Sequence, residues 1–396
     1  LDISSTSSFV LILLFLFSIN VSIAAAYIFL FLIIPAFFYR IIVRKPSLPQ
    51  LPRFFLSALI FTLASLVSTA FSSDPITSLK DNRDLLNFLL IPILMLTLIT
   101  FNRIKWALST LFASTVFVSI VGLFITLQRV LNHQDPISLD HRLKGLTSHW
   151  MTYSGLLMMG FVFFLVYQHY EKNPTTRKSI IMGLVIISIP ILLTQTRSVW
   201  VGIIISVTLF LLSFNWKRVL ILIPLVLIVY GLSPQTIQNR IQSIFDTHSP
   251  SNRDRIHMIY TSWEIFKEFP WTGVGANNVA AAYHQYRHPD AIQNNLHLHN
   301  NFMHILAERG LIGLFPLLLL FFFIAWDLVR LSRIISSNGT DVIAKAALFT
   351  FVSFMVAGLF EYNFGDTEIF FALFFYVSLP FLPPYLQKSA DQPLTT

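Results

Sequence analysis

Apolar residues in this chain come in unbroken blocks instead of alternating with polar ones. The blocks run to about 17 to 25 residues, the length an α-helix needs to cross a hydrocarbon core of about 30 Å. Phe9 to Ile42 is too long for one upright span and holds a weak polar break at Ser18, Asn20 and Ser22, which predicts two helices, the first short. Further spans are predicted at 53–71, 85–100, 104–127, 149–170, 179–194, 198–213, 217–232, 302–325, 342–360 and 367–385. Strands of a membrane barrel would be shorter and alternating. The expected fold is therefore all-α, a polytopic integral membrane protein of about 12 transmembrane helices. Residues 1–232 carry helices 1 to 9, residues 233–300 one large polar loop, and residues 301–396 the last three helices and a cytoplasmic tail.

Composition points the same way. Of 396 residues 55% are hydrophobic and 12% charged, with a mean hydropathy of +0.69, against about 25% charged in soluble domains. The net charge of +8 is dispersed over short loops, which argues against nucleic acid as a partner. With no cysteine there is neither a disulfide nor a thiolate metal site. The opening LDISSTSS has no basic region, and no small-residue cleavage site follows before Ile42, so no removable signal peptide is expected.

Positive residues are retained on the cytoplasmic side of short loops. With the N-terminus inside, Arg40, Arg44, Lys45 and Arg53 share one cytoplasmic loop. Arg103 with Lys105, Lys172 with Arg177 and Lys178, Lys217 with Arg218, and Arg330 with Arg333 and Lys345 follow on the same side. Both termini are then cytoplasmic, and the loop 233–300 faces outward. Loops of this length are uncommon without a role. In it SPSNRDR reads as a helix start, IHMIYTSWEIFKEF as an amphipathic helix and PWTGVG as a stop, with Trp263 and Trp271 at the membrane interface.

Three segments carry candidate chemistry. Arg197, in LLTQTRSVWVG, interrupts apolar sequence at the outer end of two successive helices, where an ionisable group is costly unless paired or facing a polar cavity. Gln195 and Thr196 beside it favour a cavity, and the plain alternative is an arginine snorkelling to the interface. Arg253 and Arg255 lie near a helix N-terminus, where arginine opposes the macrodipole and makes sense if an anion is bound there. Local pairing with Asp254 is the alternative. His297, His299 and His304 gather with Asn300 and Asn301 at a membrane boundary, and histidine suits removal of a hydroxyl proton near neutral pH. Gly310 and Gly313, three apart, allow close approach of another helix. His284 and His288, four apart, raise the possibility of a metal, but no ligand spacing accompanies them and none is expected. Asp74, Asp81, Glu361 and Asp366 also fall on the outer side, and nothing in their spacing selects one.

Together these segments resemble the O-antigen ligase family, within the wider group of O-antigen ligases and polymerases that use undecaprenyl-diphosphate-linked glycans. The resemblance rests on TQTRSVW, on DRIHMIYTSWEIFKEFPWTGVG, and on His299-Asn300, nine residues, then Gly310-Leu-Ile-Gly313. It implies a glycosyltransferase of the bacterial inner membrane with its site in the periplasm. The donor is an undecaprenyl-diphosphate-linked glycan and the acceptor lipid A core or another glycan. It implies Arg197 and Arg255 as diphosphate ligands, Arg255 preferred to Arg253 on its distance to Gly273, and His299 as the essential histidine. Asn300, Gln195 and His297 are supporting candidates. The expected chemistry is metal-independent and inverting, and it needs no cofactor. A polymerase, a ligase acting on protein or cell-wall polymer, and a lipid or polysaccharide transporter are the alternatives. A transporter would place ionisable residues mid-span.

Overall fold

The computed structural model describes residues 5–45, 50–135, 137–139, 142–291, 297–334 and 338–387. All regular elements among these residues are helical. Side chains of Ser5 and Ser22 cap α1 (Thr6–Ile19) and α2 (Ile23–Tyr39), so the polar break expected near Asn20 is a helix boundary. There follow α3 (Arg53–Ala70), a short α4 (Pro75–Asn82) capped by Asp74, α5 (Leu90–Thr97), α6 (Phe101–Leu131), α7 (Trp150–Tyr170), α8 (Pro174–Leu193) and α9 (Arg197–Leu212). The chain continues through α10 (Trp216–Val219), α11 (Leu222–Leu232), α12 (Gln235–Gln242), α13 (Pro250–Glu268), α14 (Val279–Tyr286), α15 (Asn301–Ser332), α16 (Thr340–Ala357), α17 (Thr367–Ser378) and α18 (Pro383–Gln387).

Eight helical stretches among the described residues are long and apolar enough to cross a membrane. Four of the twelve expected spans fall short of that length. Helices α1 and α9 are shorter apolar helices, and the stretches expected at 85–100 and 217–232 are interrupted. In the first, a 3-10 segment at Arg83–Leu89 precedes the eight-residue α5. In the second, Pro224 cannot donate to the carbonyl of Leu220, and its ring crowds that position, so the helix breaks between Val219 and Leu222.

The centre of the bundle is α7, α16 and α17, where Phe163 stacks on Tyr376 at 4.5 Å and Phe370 lies 4.4 Å from Phe374. Outer helices turn Phe31, Leu56, Phe124, Ile204 and Phe315 outward, as a lipid-facing surface requires. At one end, residues 233–300 add a second, small core of Met258, Ile265, Val274, Val279, Tyr283 and Leu298, closed by Ala307 of α15. Trp263 and Trp271 are exposed, and Trp271 lines an apolar hollow with Val67, Leu311 and Phe315.

The Gly-x-x-Gly pair does not receive a neighbouring helix. Gly310 has φ 58° and ψ −160°, a conformation open essentially to glycine, and it kinks α15. The bend lets PWTGVG lie main chain against main chain. Val274 N donates to Ala307 O at 3.0 Å, Gly275 N to Glu308 O at 2.8 Å, Leu311 N to Pro270 O at 2.9 Å and Ile312 N to Trp271 O at 3.1 Å. A Cβ on Gly310 would collide with the Trp271 carbonyl, and one on Gly273 with the backbone of Ala307 and Glu308. We expect Gly310→Ala to cost at least about 3 kcal/mol from strain and overlap together. A thermal midpoint in detergent equal to wild type would contradict that account.

Candidate active site

Two helix starts and two loop segments converge at the end of the bundle that carries residues 233–300. Helix α9 begins after a tight turn in which Gln195 takes a positive φ of 53° and donates from Nε2 to the Ile137 carbonyl at 2.7 Å. Arg197 is therefore the first helical residue and is 95% buried (5% exposed). Its guanidinium does not snorkel. One nitrogen donates to the Ser243 carbonyl at 2.5 Å and to Ser243 Oγ at 3.1 Å, the other to Ser251 Oγ and Asn252 Oδ1, each at 2.6 Å. Arg240, on α12, donates from Nε to the Gln195 carbonyl at 3.2 Å.

Arg253 and Arg255 part company on α13. Arg253 is exposed, whereas Arg255 is half-buried and donates from Nε to the Phe360 carbonyl at 3.1 Å. Arg142 packs over the Trp150 ring at 5.1 Å and joins the same field. Burial, with repulsion from Arg142, Arg197 and Arg255, pushes Arg240 down to about 9. Burial also lowers Arg255, with Glu361 pulling the other way. Arg142, Arg197, Arg240 and Arg255 thus share one electrostatic field, with Asp246 acting on Arg197 and Glu361 on Arg255 as its acidic members.

Asn300 caps α15, its Oδ1 accepting from Phe302 N at 2.9 Å and Met303 N at 3.0 Å, and its Nδ2 holds the Leu359 carbonyl at 2.9 Å. Asn301 N donates to Gly358 O at 2.8 Å, and its side chain bridges Asn363 and Phe364 N. The segment between α16 and α17 is thereby fastened against the start of α15. His299, at φ 43°, presents Nδ1 to Glu361 Oε1 at 2.8 Å. Burial alone would raise the Glu361 carboxyl, but His299, Arg255 and His149 together hold it below the usual range. An ionised Glu361 can only accept, so His299 donates to it from Nδ1, and Nε2 is the ring nitrogen not used in this contact.

Residues 182–318 match a family model described as O-antigen ligase. The match covers about a third of the chain and makes this segment similar to that family. No curated protein matches the chain. The matched segment runs from within α8 to within α15 and so takes in Arg197, Arg240, Arg255 and His299, while Arg142, His149 and Glu361 come from outside it.

Other histidines of the matched segment stand apart from the His299–Glu361 pair. His304 accepts from Leu298 N at Nδ1 and contacts Glu308 through Nε2 at 3.1 Å, and Glu308 pairs with Arg309, which reaches Asp81 at 3.4 Å. His297 is exposed, with its ring 5.6 Å from that of His304. His284 and His288 do not share a helix face, because α14 ends at Tyr286 and His288 stacks on His257 instead. Among the described residues no group of three or more His, Asp or Glu converges as metal ligands would.

Of the four carboxylates that the charge pattern assigns to the outer side, Asp74 is used in capping α4, Asp81 faces Arg309, and Asp366 accepts from Thr152 at 2.9 Å. Glu361 alone among them faces His299. Sequence spacing gives no sign of this, since 62 residues separate the two. Arg142 and Arg240 do carry a signal in the sequence: both fall in loops assigned to the outer side, against the positive-inside bias. Glu361→Gln keeps the shape and removes the charge that sets the tautomer. We expect it to lower kcat about 10²- to 10⁴-fold with the donor KM little changed. Wild-type kcat would show that Glu361 does not orient His299.

Proposed function

We propose that the protein transfers O-antigen, or a related glycan, from undecaprenyl diphosphate to a hydroxyl of lipid A core on the periplasmic face of the bacterial inner membrane. The arginine group beside the His299–Glu361 pair, at one end of a membrane bundle, carries this reading. A diphosphate brings about two negative charges, and more charge develops on its bridging oxygen as the bond to the anomeric carbon breaks. Arg197 and Arg255 are the diphosphate ligands, with Arg142 and Arg240 completing the field. Guanidinium groups offer paired donors matched to phosphate oxygens and supply the positive charge that a divalent ion would otherwise bring.

In the reaction the acceptor oxygen forms a bond to the anomeric carbon and its proton passes to Nε2 of His299. The bond from that carbon to the phosphate oxygen breaks, and undecaprenyl diphosphate leaves with the electron pair. Attack opposite the leaving group inverts the centre. The energy comes from the donor itself, so no nucleotide or cofactor takes part. Both chain termini lie in the cytoplasm in this arrangement.

Purified protein is expected to transfer glycan in the presence of a chelator, and strict dependence on a divalent ion would overturn the arginine-only arrangement. A deletion strain is expected to accumulate lipid-linked polymer. Single repeat units attached to the core would instead mark a polymerase, and lipid-linked glycan retained on the cytoplasmic leaflet a transporter.

A further inference from the structure

A polar hollow of about 110 Å³ borders the His299–Glu361 pair, and none of the four arginines of the site lines it. Its wall includes His297, two residues before His299, and Tyr362, the residue after Glu361. Three consecutive residues between α16 and α17 thus serve different neighbours. Phe360 takes Arg255 on its carbonyl, Glu361 holds His299, and Tyr362 turns to the hollow. The other walls come from α3, the 3-10 segment before α5, α15 and the start of α17. A single water needs only about 10–15 Å³ of such space, so the hollow has room for a larger polar group.

Two features of the lining point to what it takes. Arg309 is 4% exposed, pairs with Glu308 and reaches Asp81 at 3.4 Å, yet its Nε is buried with no hydrogen-bond partner among the described residues. Buried donors are almost always paired, so an unpaired one in the wall of a hollow calls for a ligand that brings an acceptor. The second feature is the sign of the charge. Asp81, Asp84 and Glu308 set three carboxylates against that one guanidinium. Burial, and then repulsion by Glu308, pushes Asp81 up to about 6, which leaves it ionised at neutral pH. The hollow is therefore electronegative, opposite in sign to the arginine group.

We propose that this hollow seats the acceptor sugar whose hydroxyl is glycosylated, and that it selects a neutral or amine-bearing sugar over one carrying phosphate or carboxylate. The assignment rests on the reading of the protein as a transferase to a glycan acceptor, and it adds where that acceptor sits and what charge it carries. Sugar hydroxyls both donate and accept, which suits carboxylates and an unpaired Arg309 Nε in one wall. The apolar faces of a pyranose suit the rings of Phe61, Tyr362 and Phe370 in the others. An anionic substituent is repelled by Asp81 and Asp84 and drawn to the arginines instead. Opposite charges thereby sort the two substrates, the donor diphosphate to guanidinium groups and the acceptor to carboxylates, with the His299–Glu361 pair bordering both.

The test uses the full chain in lipid nanodiscs, without donor, and methyl glucoside bearing a diazirine as a photolabel. Label is expected on the peptides that carry residues 81–89 and 361–370. Methyl glucoside and methyl glucosaminide are expected to compete it away, and methyl glucoside 6-phosphate to do so at least about ten-fold less well. Asp84→Lys reverses one charge from a side chain that is 46% exposed. It is expected to weaken competition by the glucosaminide about ten-fold and to strengthen competition by the 6-phosphate, a gain that misfolding cannot produce. Label absent or scattered over other peptides, equal competition by all three sugars, or an unchanged order in Asp84→Lys would each overturn the assignment. Glycan transfer by a protein whose label lies elsewhere removes the hollow and leaves the transferase reading intact. Label in the hollow with no transfer to any glycan acceptor leaves a sugar site and removes the transferase reading.

Discussion

Replacing His299 with asparagine is expected to lower kcat about 10²- to 10⁴-fold while the donor KM stays within about three-fold. Asparagine is the better choice than alanine, because φ at this position is 43°, in the left-handed region that asparagine tolerates. The helix cap belongs to Asn300 and is untouched. Residual activity would come from the arginines, which still stabilise the leaving group. In the proposed mechanism Glu361 acts only by orienting His299, so the double variant His299→Asn with Glu361→Gln is expected to be scarcely slower than His299→Asn alone. Multiplicative losses would mean that the two side chains do separate work. Activity above half of wild type in the single variant would remove His299 from the reaction.

The second large effect is expected at Arg197. Its guanidinium binds Ser243, Ser251 and Asn252, so it also ties the start of α13 and the end of α12 to α9. Arg197→Ala should lower kcat/KM by at least about 10³-fold, combining a lost oxyanion-type donor with buried polar groups left unpaired. Arg197→Lys separates the two contributions. A lysine keeps the charge but cannot hold both sides of that bridge, so we expect about 10- to 10²-fold loss, with most of the fall in kcat/KM. Full activity in Arg197→Lys would reduce the role of Arg197 to a point charge.

The hydrophobic blocks were enough to locate the helices because lipid enforces helical pairing of the backbone over a fixed length. They did not show that 217–232 would break, since Pro224 acts through the carbonyl of Leu220 and not through hydropathy. Arg197, Arg255 and His299 could be singled out because each violates an expectation for its place: a charge in an apolar helix start, a cation at a helix N-terminus, a histidine at a membrane boundary. Glu361 violates nothing in its own surroundings. Its role arises only when the turn after α16 is pinned to α15 by Asn300 and Asn301. Gly310 differs from its expectation for a similar reason. Its spacing to Gly313 suits a helix crossing, and only the backbone shows that a loop fills the space.

That loop makes the nine residues between Asn300 and Gly310 a ruler. One end is fixed by the asparagine cap and the other by the main-chain pairing of PWTGVG, so the rod between them has no slack. Each residue added or removed would swing His299 about 100° around the rod's axis. Burial and the His304–Glu308–Arg309 contacts constrain the side chains along the rod, and the cap and the pairing constrain its length.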